Sequence, residues 1–345
     1  MQWYKLPLFV LSLFLFVLAI SLMKDGAGSL GPLVRDRLHV TGFGDALGFG
    51  WLLSYLLMSG SPVAGTALAF LDAGVVDRAG AFGMIVGSRL GGSFIVLFIG
   101  FLYVLRGRNA ATSLTMGLLS MAVAWTIQSL AVGIGLFLLD SRWLDGIHVD
   151  FGTALASATD LVLEPIGAAL AARLPGWGVF VVGLGVITFS FSLFDRCLPE
   201  MTLKASRLGR TARLVYRPWV MFLLGSAITL VSMSVSISLG LLVPLSQRGF
   251  VRRENAIPYI MGANISTFID TLLAAVLIGN PAAFTVVLTE MASLFAVSTV
   301  ILGVRYGTYE HALLRFVDWT VADRRHLAAV MAGVFLAPLA LLLGQ

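Results

Sequence analysis

The chain has one cysteine, Cys197, four histidines, and charge on only 12% of its residues. A single thiol cannot close an internal disulfide, and beside a basic stretch Cys197 reads as an inert interfacial residue. His39, His148, His311 and His326 lie in or near loops, at spacings that offer no metal cluster. A nucleotide-binding P-loop is missing, as are H-E-x-x-H, G-x-S-x-G and a facing carboxylate pair within an apolar run. These absences exclude ATP-driven work, weigh against an enzyme, and call for no cofactor.

What is present is apolar. With 58% hydrophobic residues and a mean hydropathy of +0.94, several runs reach the roughly 20 residues that a helix needs to cross a bilayer. The expected fold class is an all-α polytopic membrane protein. The net charge of +5 and pI near 9.7 come from basic residues between apolar runs, where Lys and Arg hold loops in the cytoplasm. Topology therefore accounts for the charge, and nucleic acid is not an expected partner. The run Leu6 to Met23, after Lys5, is long for a signal peptide and ends without an A-x-A site. It reads as a retained first span with a cytoplasmic N-terminus at the plasma membrane.

Residues 24–40 read as an extramembrane connection. Two apolar stretches follow: Gly42 to Ala73, interrupted at Ser59-Gly60-Ser61-Pro62, and Ala79 to Leu105, interrupted at Gly87-Ser88-Arg89-Leu90-Gly91-Gly92. Ala110 to Leu139 is a span carrying Gln128. Residues 140–175 are acidic, with Asp160 and Glu164 one helical turn apart, and read as a surface or interfacial segment. After the span Gly176 to Phe194 comes the clearest cytoplasmic loop, with Arg196, Lys204, Arg207, Arg210, Arg213 and Arg217.

The second half repeats the first. A shift of 175 residues without gaps pairs Met58 with Met233, Ser59 with Ser234, Ser61 with Ser236, Arg78 with Arg253 and Gly87 with Gly262. The basic loop 196–217 puts the start of the second copy inside, whereas Lys5 puts the start of the first outside, so the copies are expected to be inverted. Inversion needs an odd number of crossings per copy. One of the two stretches in each must then be a re-entrant helical hairpin, with its tip at M-S-x-S, followed by a transmembrane helix broken at the glycine motif. The expected organisation is 1–41, first span and connection; 42–139, repeat 1; 140–217, outer segment, span and basic loop; 218–304, repeat 2; and 305–345, basic loop and C-terminal span.

Hairpin tips expose helix-end N–H groups and hydroxyls, and helix N-termini favour anions. Ser59, Gly60, Ser61, Ser234 and Ser236 are therefore candidates to hold an anion, though small residues in membranes also simply let helices pack closely. In the second glycine motif, Asn264 is a further candidate for the substrate, and Ser266 and Thr267, with carbonyls freed by a broken helix, are candidates for Na⁺, together with Ser93 and Asp270. Arg89 stands at the position equivalent to Asn264, and both it and Asp270 lie in apolar runs, where an ionisable group needs a partner or a wet cavity. Arg89 can neutralise an anionic substrate or form a structural ion pair with Asp270. For Gln128 and Glu290 an interhelical hydrogen bond or an interfacial position is expected.

M-S-G-S followed by Gly74 and Gly87, and M-S-V-S followed by Gly249 and Gly262-Ala263-Asn264-Ile265-Ser266-Thr267, resemble the duplicated core of the type II sodium-dependent phosphate cotransporters and their bacterial relatives. That family carries Q-S-S-S at each tip and G-A-N-I-G-T-T in the following helix; here Met58 and Met233 stand in place of its glutamines. The resemblance implies sodium-coupled symport of inorganic phosphate or a similar small anion by alternating access. The expected partners are then that anion, Na⁺ and the lipid bilayer, with a homodimer possible. The alternatives are a different transported substrate, or a non-transporting sensor or scaffold built on the same fold.

Overall fold

The computed structural model describes residues 5–105, 110–147, 163, 165–197, 217–232, 238–239, 242 and 251–344. Among these the chain is helical, with no strand. Twelve helices are used below: α1 Lys5–Ala27, α2 Phe43–Leu57, α3 Ser61–Asp72, α4 Arg78–Leu105, α5 Ala110–Ser141, α6 Gly176–Cys197, α7 Pro218–Ser232, α8 Arg253–Ser266, α9 Phe268–Ile278, α10 Pro281–Val300, α11 Tyr306–Ala322 and α12 Arg324–Leu343. Seven helical stretches are long and apolar enough to cross a membrane, and the protein is an all-α multi-pass membrane protein.

Glycine sets how these helices approach one another. Without hydrocarbon-to-water transfer to drive association, helices in a bilayer gain by close packing, which small residues permit. A Cβ on Gly50 of α2 would run into the Met84 carbonyl of α4, and one on Gly87 of α4 into the Leu47 carbonyl of α2. The same pair of contacts recurs between α7 and α8: Gly225 lies against the Tyr259 carbonyl, and Gly262 against the Phe222 carbonyl. Each member of the second set stands 175 residues after its counterpart. α1 and α6 join likewise, Gly183 against Met23, with the Phe70 ring of α3 stacked on Phe180 at 5.3 Å. α4 is the most enclosed span, 78% of its apolar window being buried, and it lies among α2, α3, α5 and α10.

Two expectations are corrected here. The first glycine motif does not break its helix: α4 runs through Gly87, Arg89 and Gly92 without interruption. In the second, the interruption falls at Thr267, between α8 and α9, rather than at Gly262-Ala263-Asn264, and Thr267 stays near helical geometry (φ −64°, ψ −22°) with its N–H on the Ala263 carbonyl. The reason is the contacts above: Gly87 and Gly262 lack side chains so that a neighbouring backbone can come close, and a helix offers that surface best.

The C-terminal region is also more ordered than a basic loop. Residues 306–322 form α11, because Leu313, Val317 and Thr320 fall on one buried face while the charged residues point away. His311 therefore sits within α11 and His326 in the first turn of α12, which Asp323 caps by accepting from the Arg325 N–H. The basic loop around 198–216, Asp160, Glu164 and His148 lie outside the described residues, as does the Cys197 side chain.

Candidate functional site

The first hairpin tip is built from a reversal at Met58. α2 ends when Met58 takes the left-handed conformation (φ 50°), and the Ser59 N–H closes onto the Ser54 carbonyl at 3.2 Å. Gly60 is pressed against α4, where a Cβ would lie 2.7 Å from the Ser88 carbonyl, so no larger residue fits. α3 then starts at Ser61 with Pro62 in its first turn, where the missing N–H costs nothing.

This tip opens on a cavity of about 230 Å³. Ser59, Gly60 and Ser61 form one wall, Arg89 and Ser93 of α4 a second, and Asn264 and Thr267 at the α8–α9 junction a third; Gln128 of α5 and Thr188 of α6 complete it. Seven sequence-predicted positions thus meet in one place. Ser266 is half-buried and lies outside the wall, as does Asp270, whose carboxylate stands behind it against Arg89 and the Ser61 hydroxyl. Ser234 and Ser236 lie outside the described residues. Ser238, which is described, accepts from Thr229 at 2.6 Å and meets the Tyr259 hydroxyl at 2.9 Å, contacts with α7 and α8.

Arg89 is the centre of the polar wall. Its Nη2 donates to Thr271 Oγ1 at 2.8 Å and stands 3.7 Å from Asp270 Oδ1; its Nη1 reaches Thr267 Oγ1 at 3.5 Å, and its guanidinium lies 4.2 Å from the Phe268 ring centre. The side chains of Arg89 and Asp270 are only 12% and 3% exposed, so the pair is desolvated, and such a pair persists only with added hydrogen bonds. Asp270 Oδ1 also receives the Thr271 hydroxyl at 2.8 Å. Buried atoms without hydrogen-bond partners remain: Arg89 Nε and Asp270 Oδ2.

Of the expected Na⁺ donors, Ser93 and Thr267 line the cavity, while Asp270 is engaged by Arg89. Thr267 and Asp270 surround the guanidinium, and Ser93 donates its hydroxyl to the Leu90 carbonyl at 2.6 Å, inside its own helix. Helix carbonyls around Gly87 stay in the α4 ladder and are not freed for a cation. Gln128 and Glu290, in contrast, meet as expected: the Gln128 amide donates to Glu290 Oε1 across α5 and α10. Gln128 also lines the cavity. Thr271 and Thr188 were not anticipated. Thr271 follows Asp270 directly and was hidden by it, and Thr188 stands in α6, outside the segments matched at a spacing of 175 residues.

No family model matches the sequence, and no solved structure matches it. The chain is 22% identical over 225 residues to the uncharacterized protein YqeW of Bacillus subtilis (strain 168), an alignment that covers 64% of this chain and 62% of that protein. The chain thus aligns with less than two thirds of that relative's length.

Proposed function

We propose that the protein is a secondary transporter of the plasma membrane that moves a small oxyanion, with phosphate the leading substrate, by alternating access between two inverted repeats. The observation that carries this reading is the cavity itself. It joins a serine-bearing hairpin tip from one half of the chain to Asn264 and Thr267 from the other, and an arginine stands between them.

The equal spacing supports the repeats. α2 and α7 both have 15 residues and start 175 apart, α4 and α8 also start 175 apart, and the glycine contacts within each pair correspond position by position. α4 packs on α10 as α8 packs on α5, the exchange that a two-fold relation between halves requires. At 1.5 Å per residue, α2 spans about 22 Å, short of the roughly 30 Å hydrocarbon core, which favours a re-entrant hairpin.

Charge gives a reason for coupling. Asp270 already balances Arg89, so an anion entering alone would leave the buried site net negative. A cation must then accompany it, and the resemblance to sodium-dependent cotransporters makes Na⁺ the first candidate. Uptake of labelled phosphate into proteoliposomes, with and without an inward Na⁺ gradient, tests the reading. Gradient-driven accumulation is expected; no flux of phosphate, sulfate or a small carboxylate under any cation gradient would leave the sensor or scaffold reading in its place.

A further inference from the structure

We infer that Glu290 is a proton-binding site, holding a proton against Gln128 next to the Arg89 cavity and exchanging it as the charge in that cavity changes. The site deepens the proposed function by naming a second coupling cation, H⁺, and its transport arm rests on that reading. Its protonation does not.

Glu290 of α10 is fully buried. One oxygen, Oε1, accepts from the Gln128 amide, and the other, Oε2, is buried without a hydrogen-bond partner. No cation forms an ion pair with it among the described residues, since Arg89 is taken by Asp270. The charged group that bears on it is Arg89 of α4, by electrostatics at longer range. The other elements packed on α10 bring no further charge to this depth. Asp270 of α9 belongs to Arg89, while Asp72 of α3, Arg78 of α4, Asp140 of α5, Arg253 and Glu254 of α8, and Arg305 of the short π-helix Ile301–Arg305 all stand at helix ends. Tyr259 of α8 is held by Ser238.

An ionised carboxylate enclosed in this way, with one neutral donor and no counter-ion, is unfavourable, and the group is neutralised instead. The Gln128 amide donates to Oε1 in either protonation state, so Oε2 is the oxygen free to take the proton. Gln128 is the link to solvent, because it lines the cavity and touches Glu290. The step itself is simple: an O–H bond forms at Oε2 with a proton arriving from water in the cavity, and breaks when the proton returns. An arriving anion adds negative charge beside Arg89 and favours the proton-bound form.

Infrared difference spectroscopy of the protein in lipid vesicles, titrated across neutral pH, tests the site. A protonated-carboxyl C=O band that disappears in Glu290→Gln, and shifts in frequency in Gln128→Leu, is expected. Wild-type protein with no band removed by Glu290→Gln, or with a band indifferent to Gln128→Leu, would overturn the inference. In proteoliposomes loaded with a pH dye, phosphate entry should carry protons in wild type, and Glu290→Gln should retain phosphate exchange but lose drive by a pH gradient. Absence of any phosphate flux in the wild type would refute the transport reading while the infrared band still decides Glu290.

Discussion

Removing the charge of Asp270 should destabilise the protein far more than removing the whole ion pair. At 3.7 Å, and with an effective dielectric constant near 20, the Arg89–Asp270 attraction is about 4.5 kcal/mol. Asp270→Asn leaves a desolvated guanidinium with its contacts to Thr271 and Phe268 but no counter-ion, and breaking a buried pair on one side costs about 3–5 kcal/mol. The double change Arg89→Met with Asp270→Leu replaces both charges by apolar groups of similar size and should lie within about 1 kcal/mol of wild type, since buried pairs are often neutral against hydrophobic replacements. Tryptophan fluorescence during unfolding in mixed micelles, as the fraction of denaturing detergent rises, measures both variants against wild type. A loss under about 1 kcal/mol for Asp270→Asn, or a double variant weaker than Asp270→Asn, would refute this reasoning. The double variant also separates the two roles of Arg89. If it folds but no longer binds phosphate, the guanidinium serves the solute as well as Asp270; unchanged binding would assign it to structure alone.

Other outcomes follow from the packing. Gly87→Val and Gly262→Val each force a side chain against a neighbouring helix backbone and should cost about 1–3 kcal/mol or more, whereas Gly133→Val, with nothing nearby, should be close to neutral in the same unfolding assay. Tyr55→Phe removes the hydroxyl that donates to the Val334 carbonyl at 2.9 Å and accepts from Trp51, joining α2 to α12, and should cost about 1 kcal/mol by unfolding. Glu290→Gln should keep phosphate exchange but lose its response to a pH gradient in dye-loaded vesicles.

The sequence carried the hairpin tip and the polar wall because both rest on residue types that are costly in an apolar run. Arg89, Asp270, Gln128 and Glu290 each needed a partner, and the structure pairs them two by two. The starts of α2, α4, α7 and α8 were legible for another reason: residues matched at a spacing of 175 mark each boundary twice. The glycines were misread because a glycine in a membrane helix either breaks the helix or admits a neighbour, and its own sequence context is the same in both cases. Only the Leu47 and Phe222 carbonyls, far away in the chain, decide the matter. α11 was missed because charge at Glu310, Arg315 and Asp318 masks a narrow buried stripe of Leu313 and Val317. The carbonyls expected from the first glycine motif are not freed, because they depended on a break that α4 does not have.

The central claim is that the cavity at the first hairpin tip holds the solute and is reached from both sides of the membrane. Because Cys197 is the only cysteine in the sequence, a Cys197→Ser background makes a Ser59→Cys variant a single-thiol probe of that tip. A membrane-impermeant thiol reagent, added to oriented vesicles from each side in turn, should label position 59 from both, and phosphate should slow labelling. Labelling from one side only, at a rate phosphate does not change, would contradict it.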